Sequence, residues 1–220
     1  MKPYKAVLII LAIIIADQAL KIWVKTHLML DEEVVITNWF RIHFAENKGM
    51  AFSMELPGVW GKAILGFFRS IAAIAGTWYV IHLFRQKAHW GFIAACSAIL
   101  AGAVGNLIDG AFYGLIFSDS YGRVAHFVPA GSGYAGFMQG QVVDMLRFPL
   151  FHGFFPHWFP IWKGQYFEFF NAIFNISDAA ITVGVFVILI FQKTFFKEEA
   201  AGNQPENSNA PQGETEVIEK

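Results

Sequence analysis

Residues 6–24 read AVLIILAIIIADQALKIWV. A helix of this length rises about 28 Å, close to the hydrocarbon thickness of a bilayer. The run Ala6–Ala16 is wholly apolar, and Asp17 and Lys21 follow at i, i+4, one turn apart on one face. Charged side chains are costly at membrane depth, so a span that keeps two of them needs a reason for each. Lys2 and Lys5 ahead of an apolar run also resemble the start of a secretory signal peptide. However, the Asp-Gln-Ala-Leu-Lys that follows Ala16 is no small-x-small cleavage site. The segment therefore reads as a retained membrane helix.

Three more stretches are long and apolar enough to cross a bilayer, over 63–84, 90–108 and 174–195. Composition agrees. Of 220 residues, 55% are hydrophobic and 15% charged, and mean hydropathy is +0.45. An ordinary soluble domain is about 25% charged. This balance excludes a disordered chain, a nucleic-acid binder with a basic face and almost any cytosolic enzyme. The formal net charge of −1 hides an acidic end, because residues 198–220 sum to −5 and the rest to +4. That end is rich in Asn, Gln, Pro and Gly and reads as a solvated, disordered tail. Cys96 is the single cysteine, so no intramolecular disulfide can form.

Orientation follows from basic residues beside the spans. Lys2, Lys5, Arg85, Lys87, Lys193 and Lys197 all flank one side, and the short basic link 85–89 suits a cytoplasmic turn. Both termini are then cytoplasmic, and the long segments 25–62 and 109–173 face outward. Phe40-Arg41-Ile42-His43-Phe44 alternates with period two, as a half-buried strand does. The expected fold is an all-α membrane bundle of four transmembrane helices with a small extracytoplasmic β-sheet and long outer loops. The stretch 148–162 is dense in aromatics and contains Pro149, Pro156 and Pro160, which bar a regular helix. Its aromatics suit the headgroup layer, as an anchor or as a platform beside a lipid-bearing substrate.

In this topology Asp17, Asp109, Asp144 and Asp178 all fall near the outer end of the bundle, with Asn106 and Asn175 beside two of them. Any one carboxylate could be a cap or a packing feature. Four at one depth point to a site. Two carboxyl groups in close contact share a proton, because both cannot ionise easily. The ionised member then takes a proton from water, and the protonated member polarises a carbonyl and later helps an amine to leave. That chemistry hydrolyses a peptide bond without metal or covalent intermediate. Other constellations are weaker. His152 and His157 are separated by Pro156, Ser132 lacks a membrane serine-protease context, and Ser53 with Lys48 has only sequence proximity. Ala98, Gly102 and Gly105 suit close helix packing.

These residues resemble one family, lipoprotein signal peptidase (signal peptidase II), across residues 5–195. The segments that carry the likeness are Asp17-Gln18-x-x-Lys21-x-Trp23, Asn47-Lys48-Gly49-Met50-Ala51-Phe52-Ser53, Gly105-Asn106-Leu107-Ile108-Asp109, Val143-Asp144 and Phe174-Asn175-Ile176-Ser177-Asp178. The resemblance implies an aspartic endopeptidase of the bacterial inner membrane. Such an enzyme cuts prolipoproteins on the amino side of a diacylglyceryl-modified cysteine, with its site on the periplasmic side. It implies Asp144 and Asp178 as the catalytic pair, a choice that spacing alone leaves open among the acids. It implies Asn47, Asn106, Asp109 and Asn175 as residues that position substrate backbone and the pair, with Asp17 and Lys21 in support. It implies no metal or organic cofactor, a lipid-modified prolipoprotein and membrane lipid as partners, no nucleic acid, and a monomer. Two departures stand out. Gly110 occupies a position where most members carry arginine, so Arg123 or Arg147 is expected to supply that cation. The segments on either side of Asp144 are also long for the family. A competing reading is a small proton-coupled transporter or channel subunit with Asp17, Lys21, Asp109 and Asp178 as a relay, although the apolar inner halves Ala6–Ala16 and Val183–Ile190 offer no path. A scaffold protein is a third reading, in which neutralising the carboxylates abolishes no chemistry.

Overall fold

The computed structural model describes residues 1–47 and 59–196. The loop Lys48–Ser53, with the Ser53–Lys48 pair, and the tail 198–220 lie outside the described residues. Four long helices are present: α1 (Pro3–His27), α2 (Val59–Arg85), α3 (Trp90–Ile108) and α4 (Ile176–Phe195). Each is long and apolar enough to cross a membrane. Their outer faces are apolar and bare, as at Ile74 (71% exposed) and Ile190 (69%), which is the surface expected where lipid is the solvent. The expected spans sit within a few residues of these helices.

The third helix is central and packs against the other three. Its small residues make this possible. A Cβ on Gly102 would stand 2.2 Å from the Ser177 carbonyl oxygen, and one on Gly105 would stand 2.0 Å from Ser177 Oγ. These positions must be bare for α4 to lie against α3, the close packing expected of 98, 102 and 105. After Ile108 the helix widens into a π-helical turn, Asp109–Tyr113, and finishes with one α-turn, Gly114–Ile116. Such a turn carries an extra residue and re-aims the side chains around it.

Strands β1 (Glu33–Thr37), β2 (Phe40–Asn47), β3 (Val142–Arg147) and β6 (Ile173–Phe174) form one antiparallel sheet in the order β1-β2-β3-β6. The alternation at 40–44 falls in β2. The aromatic stretch is not merely irregular. Its first part, β4 (Phe151–Phe154), pairs with β5 (Tyr166–Phe169) as a separate hairpin that holds the prolines at 156 and 160 in its connection. The main sheet rests on one end of the bundle through Val24, Leu28, Phe44, Tyr113, Phe117, Val143 and Met145. Lys25 secures it electrostatically. Its buried ammonium pairs with Glu46, donates to Ser120 Oγ at 2.9 Å, and lies 4.9 Å from the Tyr134 ring centroid. Arg147 ties the hairpin to the sheet by reaching Glu33 at 2.7 Å and both Glu168 oxygens at 3.0 and 3.1 Å.

Replacing Gly102 by alanine forces the α3–α4 backbones apart. We expect a destabilisation of about 1–3 kcal/mol, the usual scale for overpacking, read as a lower melting temperature in detergent. The same change at Gly136, where a Cβ meets nothing nearer than 3.6 Å among the described residues, should leave melting unchanged.

Candidate active site

Strand pairing delivers the first part of the site. Leu146 pairs with Phe174 and Arg147 with Ile173, so the antiparallel register carries Asn175 and the start of α4 back past Asp144. Asp144 is buried in β3, opposite Ala45 and beside an irregularity of register between Ile42 and Ala45. At the helix start Asn175 is the N-cap. Its side chain accepts from the Asp178 N–H at 2.9 Å, and Asp178 Oδ2 accepts from the Asn175 N–H at 3.4 Å, a reciprocal capping box. The same Asn175 side chain donates through Nδ2 to Asp144 Oδ1 at 2.6 Å. One wholly buried amide therefore touches both acidic residues.

Asn106 of α3 performs a parallel task. Its Nδ2 donates to Asp178 Oδ1 at 2.8 Å, and its Oδ1 accepts from Lys21 Nζ at 2.9 Å. The ammonium fixes which way the amide points, because only the oxygen can accept from it. Lys21 completes its three hydrogen bonds with Asp17 Oδ2 at 2.9 Å and Asp109 Oδ2 at 2.7 Å, and all three side chains are fully buried. Asp17 also accepts the Ser177 N–H at 2.9 Å, placing a carboxylate on the N-terminus of α4. Asp109 accepts the Val143 N–H at 3.2 Å, which fastens β3 one residue before Asp144.

The structure thus joins Asp17, Lys21, Asn106, Asp109, Asp144, Asn175 and Asp178 in one hydrogen-bonded chain. Asn47 closes it from β2, with Nδ2 3.3 Å from Asp144 Oδ2. Asp109 and Asn175 have no exposed surface, and their polar atoms face protein partners. Asn175 meets the acidic pair, whereas Asp109 meets Lys21, Gln18 and the Val143 N–H.

Two residues join the site without having been assigned a role from the sequence. Gln18 donates to Asp109 Oδ1 at 2.9 Å and to the Gly105 carbonyl at 3.2 Å, and it accepts from the Tyr113 hydroxyl at 3.1 Å. Its place beside Asp17 inside a span was the available signal. Arg69, a charged residue within the apolar part of α2, stands beside Gly110: its guanidinium Nη1 lies 3.7 Å from where a Cβ on Gly110 would be. The expectation that Arg123 or Arg147 supplies a cation there is corrected. Arg123 pairs with the exposed Asp119, and Arg147 is spent on Glu33 and Glu168.

Burial pushes the Asp144 carboxyl up to about 7, and the negative charge of Asp178 adds to the rise against the hydrogen bonds from Asn175 and Asn47. A carboxyl held protonated near neutrality, beside a second carboxyl, is the pattern of an acid–base pair.

A family model described as signal peptidase (SPase) II matches residues 9–195. The chain belongs to the signal peptidase II family. A lipoprotein signal peptidase of Porphyromonas gingivalis is 44% identical over 183 residues, covering 83% of this chain and 80% of the relative. One from Amoebophilus asiaticus is 32% identical over 205 residues, covering 90% and 81%. Among solved structures, two bacterial membrane enzymes determined in meso share the fold. One has a TM-score of 0.57 at 21% identity, covering 95% of this chain and 97% of that one. The other has 0.56 at 25% identity, covering 87% and 94%. Membership in a peptidase family leaves the transporter reading without support.

Replacing Lys21 by methionine leaves Asp17 and Asp109 buried without their counter-ion. We expect a loss of about 3–5 kcal/mol, visible as a fall in thermal stability in detergent. Adding Asp109→Asn to that variant should restore part of it.

Proposed function

We propose that this signal peptidase II works as an aspartic endopeptidase, with Asp144 and Asp178 as its catalytic pair. The chain removes signal peptides from prolipoproteins, and in our reading it cuts on the amino side of a diacylglyceryl-modified cysteine. The observation that carries the assignment is the double contact of Asn175, whose amide nitrogen donates to the Asp144 carboxyl and whose oxygen accepts from the Asp178 backbone N–H. Asp178, ionised, takes a proton from a water as that water attacks the scissile carbonyl. Asp144, protonated, donates to the carbonyl oxygen as charge develops there and then supports proton delivery to the departing cysteine nitrogen. Asn47, Asn106, Asp109 and Asn175 position the pair, and Asp17 and Lys21 support them.

The basic flanks Lys2, Lys5, Arg85, Lys87 and Lys193 support cytoplasmic termini in the bacterial inner membrane, with the sheet and the site at the periplasmic face. Residues 1–197 then form the peptidase domain and 198–220 a cytoplasmic tail. The substrate's acyl chains stay in the bilayer, where each buried CH₂ contributes about 0.8 kcal/mol. A scissile bond just above those chains meets a site at the membrane rim, so both partners arrive pre-concentrated in two dimensions. One chain holds the whole pair, which fits a monomer. The hairpin β4–β5 carries exposed Phe154 (70%), Trp158 (79%) and Ile161 (72%), a surface suited to the headgroup layer.

Asp144→Asn and Asp178→Asn should each fold and lower turnover of a lipid-modified precursor peptide at least about a thousandfold in a detergent assay, a scale typical of losing an acid–base residue that the chemistry needs. A variant that cleaves at the normal rate removes the assignment. Because the active form keeps the Asp144 proton, wild-type kcat/KM should fall about tenfold per pH unit above about 7. The stability sign is linked: a carboxyl raised on folding contributes stability at low pH that is lost as pH climbs through about 7. Asp144→Asn should therefore melt higher than wild type at pH 8, a gain absent at pH 4. In nanodiscs, lipids brominated near the headgroup should quench a fluorescence component that disappears in Trp158→Phe.

A further inference from the structure

Among the described residues, Arg69 stands apart from the other cations near the site. It lies in the apolar window of α2, half-buried, and the charges of Asp109, Asp178 and Asp144 all act on it. A guanidinium cannot shed its charge and carries five N–H donors in a planar fork. Yet among the described residues it makes no ion pair and no hydrogen bond. Lys21 is in the opposite condition, with all three of its donors used. No side chain projects from Gly110 toward Arg69. Among the described residues, a Cβ on Gly110 would meet only the Arg69 Nη1 within 4 Å, at 3.7 Å. Gly110 is the second residue of the π-helical turn, immediately after Asp109, whose own carboxylate is fastened to Lys21 and β3.

A cation inside an apolar span needs an acceptor. The one the site must receive is an extended peptide, whose carbonyl oxygens lose their water as the chain enters. We propose that Arg69 binds the substrate, donating to a main-chain carbonyl of the segment that lies across Asp144 and Asp178, beside Gly110. This rests on the reading of the site as a peptidase centre. Arg69 then orients the peptide from α2, while the carboxylates act from β3 and α4. Its contact is with the main chain, so it tolerates varied side chains in the signal peptide.

The test is a relocation of the cation. The full chain in detergent is assayed with a lipid-modified precursor peptide as wild type, Arg69→Ala, Arg69→Gln and the double variant Arg69→Ala with Gly110→Arg, with Asp144→Asn as control. Losing a charge-assisted hydrogen bond to substrate should lower kcat/KM about thirtyfold in Arg69→Ala, with melting close to wild type. The double variant grows a guanidinium from the neighbouring position into the vacated space and should recover about tenfold or more. If Arg69→Ala does not fold, Arg69→Gln with and without Gly110→Arg carries the same comparison. A folded Arg69 variant with wild-type kcat/KM overturns the proposal. So does a folded variant that Gly110→Arg fails to rescue, which would mark a structural role. An inert Asp144→Asn beside unaffected Arg69 variants overturns Arg69 alone, whereas an active Asp144→Asn overturns the reading of the site.

Discussion

One ammonium group holds this site together. Lys21 lies at membrane depth with no exposed surface, and each of its three N–H groups meets a different side chain: Asp17 on its own helix, and Asn106 and Asp109 on α3. A lysine in that position is stable only if its charge and all its donors are answered. The groups that answer it are themselves fixed by doing so. Asp17 reaches on to the first turn of α4, Asn106 to Asp178 and Asp109 to the backbone of β3. A single buried cation thus sets the relative positions of α1, α3, α4 and the sheet.

The two central carboxyl groups gain their character from that framework. Among the described residues, neither has a cation bonded to it directly. Each is held by a neutral side-chain amide, Asn106 for Asp178 and Asn175 for Asp144. Amides orient a carboxyl group without the full stabilisation that a salt bridge gives its ionised form. Burial can then dominate at Asp144 and keep its proton near neutral pH. The cation lies one residue further away, where it organises the amides. Orientation and charge compensation are thus supplied by different groups.

Two packing features make the arrangement reachable. The bare backbone at Gly102 and Gly105 lets α4 approach α3 closely enough for the amide bridges to form. Gly140 does the same for the incoming chain. A Cβ there would stand 2.2 Å from the Asp109 carbonyl oxygen, and without one its N–H donates to the Gly110 carbonyl at 2.9 Å, just ahead of β3. The second cluster, Lys25 with Glu46 and Ser120 under aromatic rings, keeps β2 seated while the first orders the site.

The sequence by itself determined the four helices, because the length and apolarity a bilayer requires are local properties of the chain. It also determined that Asp17, Asp109, Asp144 and Asp178 share one end of the bundle, since topology follows from the order of spans. The strand at 40–44 was legible from its period of two. Strands β3 and β6 were not, because their partners lie far away in the chain and pairing register is not local. Nor could spacing distinguish Asp144 and Asp178 from Asp17 and Asp109. All four are acids at similar depth, and the difference lies in what each touches: an ammonium for Asp17 and Asp109, amides for the other two. The cation beside Gly110 comes from α2, a helix that no motif connects to that position. Only tertiary structure decides such contacts, because hydrogen bonds and charge act across space without regard to distance along the chain.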